Sequence, residues 1–208
     1  HTEVTKAVNQ PLISVVGVGK AKKGKLISTA GAKPGMDIII TKWIGIEGTA
    51  ILAKEKEEEL LTHFTPSFLA QAKAFDQMLS VLPEASIAVQ HEVSAMHDVT
   101  EGGIFGALWE MAEASGVGLE INLRKIPIRQ ETVEICEFFE INPYELISSG
   151  CMLMAAADGN TIVRELEKAG IHAVVAGKAM EGNDRILYTD QEQRFLEPPK
   201  SDELYKIV

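Results

Sequence analysis

Residues 96–118 read MHDVTEGGIFGALWEMAEASGVG. The stretch opens on a polar knot, HDVTEGG, and runs directly into residues suited to a core. Ile104, Leu108 and Met111 fall at i, i+4 and i+7, with Phe105, Trp109 and Ala112 one position along. That spacing predicts a helix with a broad buried stripe, ending at Gly116 and leaving Glu110 and Glu113 toward water. The knot therefore sits at a helix N-terminus, where free amides and the positive end of the helix dipole attract anions. Paired glycines, Gly102 and Gly103, let a phosphate approach the backbone closely. A carboxylate just upstream, Asp98, has the chemistry to hold a magnesium ion that accompanies a nucleoside triphosphate. The residues carry a plainer reading equally well, in which Asp98 or Thr100 only caps the helix.

Working outward, the same alternation of strand-like and helix-like segments continues. Downstream come a strand over LEINL, a helix over 131–139, a strand over 151–157, a helix over 161–169, and strands over 173–177 and 185–188. Upstream, LISVVGVG (12–19), KLISTA and DIIITKW are β-branched and broken by glycine, proline and lysine, so three opening strands are predicted. A connecting helix follows over TAILAKEKEEELLTHF, whose charge run, Lys54 to Glu59, reads as a solvated face and marks a domain boundary near residue 55. Two more helices, over 67–82 and 84–90, precede the knot. Strands and helices at these spacings predict an α+β sandwich in two parts, residues 1–55 and 56–208, with helices on one face of a mixed sheet.

Composition narrows the function. The chain has 208 residues and a formal net charge of -10. That is the wrong sign for a protein whose main work is neutralising nucleic-acid phosphates. The longest apolar run, Cys151 to Ala157, is far shorter than a membrane span needs, and no basic-then-apolar leader stands at the N-terminus. Cys136 and Cys151 lie in apolar surroundings without a CxxC pair and read as reduced core thiols of a cytoplasmic protein.

Three further motifs carry chemistry-bearing residues. GKAKKGKL, Gly19 to Leu26, begins like a phosphate loop, but Leu26 stands where a magnesium-binding hydroxyl is needed and no helix follows, so it reads as a basic turn between strands. His91 and His97 beside Asp98 lack partners at zinc-ligand spacing and read as structural histidines. In ELISSGCMLMAAA, Ser148, Ser149 and Gly150 interrupt an apolar strand; the turn can present amides to a ligand or be a simple bulge.

Taken together, these motifs resemble the AIR synthase-related superfamily, whose members include aminoimidazole ribonucleotide synthetase, selenophosphate synthetase, thiamine-monophosphate kinase and the hydrogenase maturation protein HypE. Asp98, Thr100, Gly102, Gly103 and the Glu113–Gly118 phrase match the motif of its C-terminal domain, most closely in the HypE style. STAGAKPGMDIIITKWIGIEGTAILA, 28–53, and the SSG turn are similar to other family segments. The resemblance implies a C-terminal α/β domain preceded by the last strands of a β-barrel N-terminal domain that forms a homodimer, with ATP bound between the two. It implies Asp98 as a magnesium ligand and Thr2, Thr100, Gly102, Gly103, Ser149 and Gly150 as nucleotide-side residues. His1 and Thr2 are similar to the end of a Gly-Gly-His-Thr phrase midway through full-length relatives, so the chain is expected to be a piece that is inactive alone. The implied chemistry is phosphoryl activation of a small-molecule or protein substrate, with other maturation proteins as partners. HypE ends in a cysteine that carries its substrate group, whereas this chain ends SDELYKIV. A non-catalytic nucleotide-sensing or partner-binding module of the same fold is the alternative.

Overall fold

The computed structural model describes residues 13–208. A single seven-stranded mixed sheet organises them, in the order β2-β4-β1-β5-β3-β6-β7. The strands are β1 (Asp37–Thr41), β2 (Ala95–Asp98), β3 (Gly118–Asn122), β4 (Met152–Ala156), β5 (Ala173–Met180), β6 (Arg185–Tyr188) and β7 (Gln193–Phe195). Every pairing is antiparallel except β3 with β6. The helices are α1 (Ile46–Glu55), α2 (Glu57–Leu60), α3 (Pro66–Lys73), α4 (Leu82–Ala88), α5 (Gly103–Ser115), α6 (Gln130–Phe138) and α7 (Gly159–Lys168).

The predicted arrangement of helices on one face is corrected by the core. β1 is buried along its whole length, and its successive isoleucines point to opposite sides of the sheet. Ile38 and Ile40 pack with Leu153, Leu119 and the α5 residues Ile104, Leu108 and Met111. Ile39 packs the other way, with Met152, Met154 and the α7 residues Ile162 and Leu166. Runs such as Ile38-Ile39-Ile40 and 151–157 are continuous rather than alternating because both faces of the strand are covered. Beside the sheet, α1, α3 and α6 share a third cluster through Leu52, Leu69 and Ile135, joined by Leu146 from the loop after α6.

The opening segment also differs from expectation. Of LISVVGVG, residues 13–19 form no strand, and neither does KLISTA beyond a single bridge from Ser28 to Ala95. Val16 and Val18 are 83% and 94% exposed; among the described residues nothing supplies the neighbouring edge or apolar cover a strand requires. DIIITKW does form a strand, β1, but at the middle of the main sheet. The basic turn is present at Lys22–Lys25, where the Lys25 N–H donates to the Lys22 carbonyl at 3.0 Å, without strands on either side.

The single helix expected over 67–82 is divided. Thr65 caps α3 through the Phe68 N–H, and Pro66 fits the first turn. After Lys73 the chain tightens to a 3-10 turn, Ala74–Met78. The Lys42 ammonium then donates to the carbonyls of Met78 at 2.9 Å and Ser80 at 2.7 Å.

Candidate functional site

The polar knot and the SSG turn meet at one end of the sheet. β2 ends at Asp98, which pairs with Met152 at the start of β4, and the Val99 N–H donates to the Cys151 carbonyl at 3.0 Å. The Met152 N–H donates to Thr41 Oγ1 at the end of β1, 3.0 Å away. Past the knot, the Phe105 N–H donates to the Tyr144 carbonyl at 3.1 Å, and the Phe105 and Tyr144 rings stack with centroids 5.0 Å apart. Burial raises the Tyr144 phenol above its ordinary pKa, with Arg194 partly opposing the shift. The loop 139–150 is thus held against the mouth of α5. Buried Ser148 completes the join, accepting the Gly45 N–H at 2.7 Å.

Neither side chain expected to cap α5 does so. The helix N-cap is Gly102 in the left-handed region, with no side-chain cap of its own. Its N–H instead donates to Asp202 Oδ2 at 2.7 Å, from a residue one hundred positions away. Asp202 is 4% exposed, and its Oδ1 accepts the Leu204 N–H at 2.9 Å. The Gly103 N–H donates to the Thr100 carbonyl at 3.1 Å. A second carboxylate sits on the SSG turn, where Glu47 Oε2 accepts the Ser149 N–H at 3.2 Å. The chain's own carboxylates thus occupy two of the amides at this end of the sheet.

The other expected residues fall as follows. Asp98 is exposed at the strand end, and its side chain makes no hydrogen bond or ion pair among the described residues. Thr100 lies half-buried in the loop between β2 and α5, and Gly150 is buried beside Ser149 with φ +101°. Thr2 lies outside the described residues. No three His, Cys, Asp or Glu side chains converge as a metal site among the described residues. Asp98 alone fits a magnesium ion as one ligand of several, since that ion commonly takes one or two carboxylates and completes its shell with waters and phosphate oxygens. His97 is tied elsewhere, with Nδ1 3.0 Å from Thr29 Oγ1 and Nε2 2.7 Å from Glu110 Oε2.

A buried pair near the site was missed by sequence reasoning. Glu84 is fully buried, with Lys42 Nζ 2.8 Å from its Oε1. That contact lacks hydrogen-bond geometry, so both Glu84 oxygens have no hydrogen-bond partner among the described residues. Lys42 itself holds a left-handed backbone, φ 51°. Cys151 is close enough to feel both charges, yet burial dominates and pushes its thiol up to about 12; Cys136 is likewise pushed up to about 12. Both are free and buried.

Comparison with known proteins places this geometry in context. Residues 33–190 match the family model described as AIR synthase related protein, C-terminal domain. A Methanocaldococcus jannaschii protein named for hydrogenase expression/formation is 30% identical over 99% of this chain, and carbamoyl dehydratase HypE of Cupriavidus necator is 31% identical over 73% of it. The alignments span 61% and 41% of those two relatives' own lengths. Among solved structures, E. coli HypE superposes with a TM-score of 0.71 at 19% identity, covering 88% of this chain and 56% of that one. A HypE solved in complex with ATP gives 0.65 at 18% identity, covering 86% and 55%. A HypE–HypF complex gives 0.62 at 21%, covering 83% and 56%.

Proposed function

The chain belongs to the AIR synthase related protein family through its C-terminal domain, and from that premise we propose that it forms one wall of an ATP site in an enzyme of the HypE type. The observation that carries the reading is the meeting of Asp98, Thr100, Gly102–Gly103 and Ser149–Gly150 at a single end of the sheet. A relative of this fold has been solved with ATP, which supports a nucleotide there. In this reading the amides of Gly102 and Ser149 receive phosphate oxygens, Thr100 lines the same wall, and Asp98 offers its carboxylate to magnesium. Magnesium, when bound, would neutralise phosphate charge; the chain's own part is to position the triphosphate and present N–H donors to it. The reaction class is phosphoryl transfer to a substrate oxygen, on a small molecule or a protein, with hydrogenase maturation proteins as partners.

The division into parts is read differently from residue 55. We place the start of this domain near Lys33, where the family match begins and shortly before β1 enters the sheet. Thr2 lies ahead of that start, and in this proposal the remaining site residues belong to the part of the relatives that the chain does not match. This chain alone is then a binder without turnover, and a homodimer forms through that other part.

Titration of ATP with the chain, followed by phosphorus NMR with and without magnesium, tests the reading. The expected result is magnesium-dependent perturbation of the phosphate signals that Asp98→Asn largely removes while the melting temperature stays unchanged. Undiminished magnesium-dependent binding by folded Asp98→Asn would remove Asp98 from the site. Robust ATP turnover by the 208-residue chain would overturn the divided site.

A further inference from the structure

We propose that the C-terminal segment, residues 196–208, is a strap that closes the α5 N-terminus by placing the Asp202 carboxylate where an anionic ligand would sit. The proposal rests on the nucleotide reading above. It starts from how the segment is fastened. Leu196 is buried, and its N–H donates to the Arg185 carbonyl at 2.7 Å. At the far end, Asp202 and Glu203 are each 4% exposed. The Glu203 N–H donates to the Glu145 carbonyl at 3.3 Å, and its Oε2 accepts the Asn142 N–H at 3.3 Å. Leu204 and Ile207 lean on the cluster containing Ile135, Ile141 and Leu146.

Between those anchors the strap is a bridge. Residues 197–201, EPPKS, are all exposed, and no backbone hydrogen bond joins them to the rest of the described residues. They roof a recess whose floor is Gly102, Phe105 and Gly106, with Glu145 at its side. Two adjacent prolines hold such a span extended and give it little slack. The strap can therefore lift as a unit once its Asp202 end is released.

Asp202 is the part that couples lifting to a ligand. Its buried carboxylate has no ion-pair partner among the described residues and is held by the Gly102 and Leu204 amides at a helix N-terminus. A phosphate oxygen seeks the same donor for the same reason, and two anions cannot share it. Ligand then binds only the strap-open population, and its apparent affinity falls by the fraction that is open. Glu47 on the Ser149 amide is half-buried and can leave by side-chain rotation alone, so the strap is the slower of the two gates.

Inorganic tripolyphosphate is the probe, with binding measured by calorimetry and strap opening by hydrogen exchange of peptides covering 197–208. For the wild-type chain, saturating tripolyphosphate is expected to speed exchange in those peptides while β1, β4 and β5 stay protected. Asp202→Asn, which keeps the shape and removes the charge, is expected to bind about tenfold more tightly, the scale of one charge-assisted hydrogen bond. Glu203→Gln is the control: glutamine keeps an oxygen to accept the Asn142 N–H, so the anchor is retained, and position 203 does not touch Gly102, so affinity stays within about twofold on that scale. If tripolyphosphate binds the wild type but slows exchange in 197–208, or if Asp202→Asn binds no better, the strap is refuted and the nucleotide site stands. If no variant binds it, the site reading fails and the strap falls with it. The wild-type exchange measurement needs no variant to fold.

Discussion

Gly102 and Gly103 look interchangeable in the knot, and substituting each by alanine separates them sharply. Both have positive φ, +79° and +60°, so each alanine meets the left-handed backbone cost of about 1–2 kcal/mol. The space around them differs. A Cβ on Gly102 would meet Gly106 Cα at 3.6 Å and Pro199 Cβ at 3.8 Å, ordinary contacts. A Cβ on Gly103 would lie 2.5 Å from the Tyr144 carbonyl oxygen, 2.8 Å from that of Leu146 and 2.9 Å from the Leu146 nitrogen. These are backbone atoms of a loop pinned to Gly45 and Phe105, so they cannot simply rotate away. Overpacking of this kind adds about 1–3 kcal/mol, making Gly103→Ala cost about 2–5 kcal/mol in all. The two variants should therefore differ by at least about 1 kcal/mol, or roughly 2–4 °C in melting temperature for a domain of this size. Chemical denaturation followed by circular dichroism measures the difference directly. Equal costs for the two would mean that the loop yields freely, and that close packing is not why a second glycine stands there.

Removing either member of the buried pair is expected to be costly: Lys42→Met leaves the Glu84 carboxylate unpaired and should lose about 3–5 kcal/mol in urea denaturation, whereas Lys42→Met with Glu84→Gln should cost clearly less than the two single changes added. Asp98→Ala should change stability by no more than about 0.5 kcal/mol, because the side chain is exposed and has no partner among the described residues. Asp202→Ala should cost about 1–3 kcal/mol by leaving the Gly102 N–H unpaired. Because burial pushes both thiols up to about 12, neither is a thiolate at pH 8, and a disulfide reagent should label Cys136 and Cys151 only at the rate of unfolding; prompt labelling of the native chain would contradict their burial.

Much of the fold was legible because its periodicities are strong. The α5 stripe falls where spacing puts it, with Glu110 and Glu113 exposed, and Gly116 ends the helix at φ +64°. β3, β4, α6 and α7 lie within a few residues of expectation. The failures have physical causes. Val15, Val16 and Val18 have strand character, but propensity only describes fitness for a pleated surface, and no neighbouring strand is described for them. The helices on both faces were implicit in Ile38-Ile39-Ile40, a run that alternation would have broken had one side met water. β7 was invisible: three residues, Gln193–Phe195, all exposed, carry no pattern.

The contacts around the knot were not legible in the sequence. That a helix N-terminus beginning with two glycines draws an anion follows from local sequence, and an anion is there. Which anion is a matter of long-range geometry, since Asp202 lies one hundred residues from Gly102 and nothing in PPKSDELY marks it as a cap. The same holds for Glu47, which sequence alone makes a first-turn helix acid. It holds too for Glu84, whose burial depends on Lys42 arriving from the end of β1. This pattern bears on Asp98. Asp202 and Glu47 rest on amides at this end of the sheet, while the Asp98 side chain is exposed and has no partner among the described residues. Asp98 ends β2 within the same knot without such a contact among the described residues, so its removal tests the proposed ligand role at little cost to the fold.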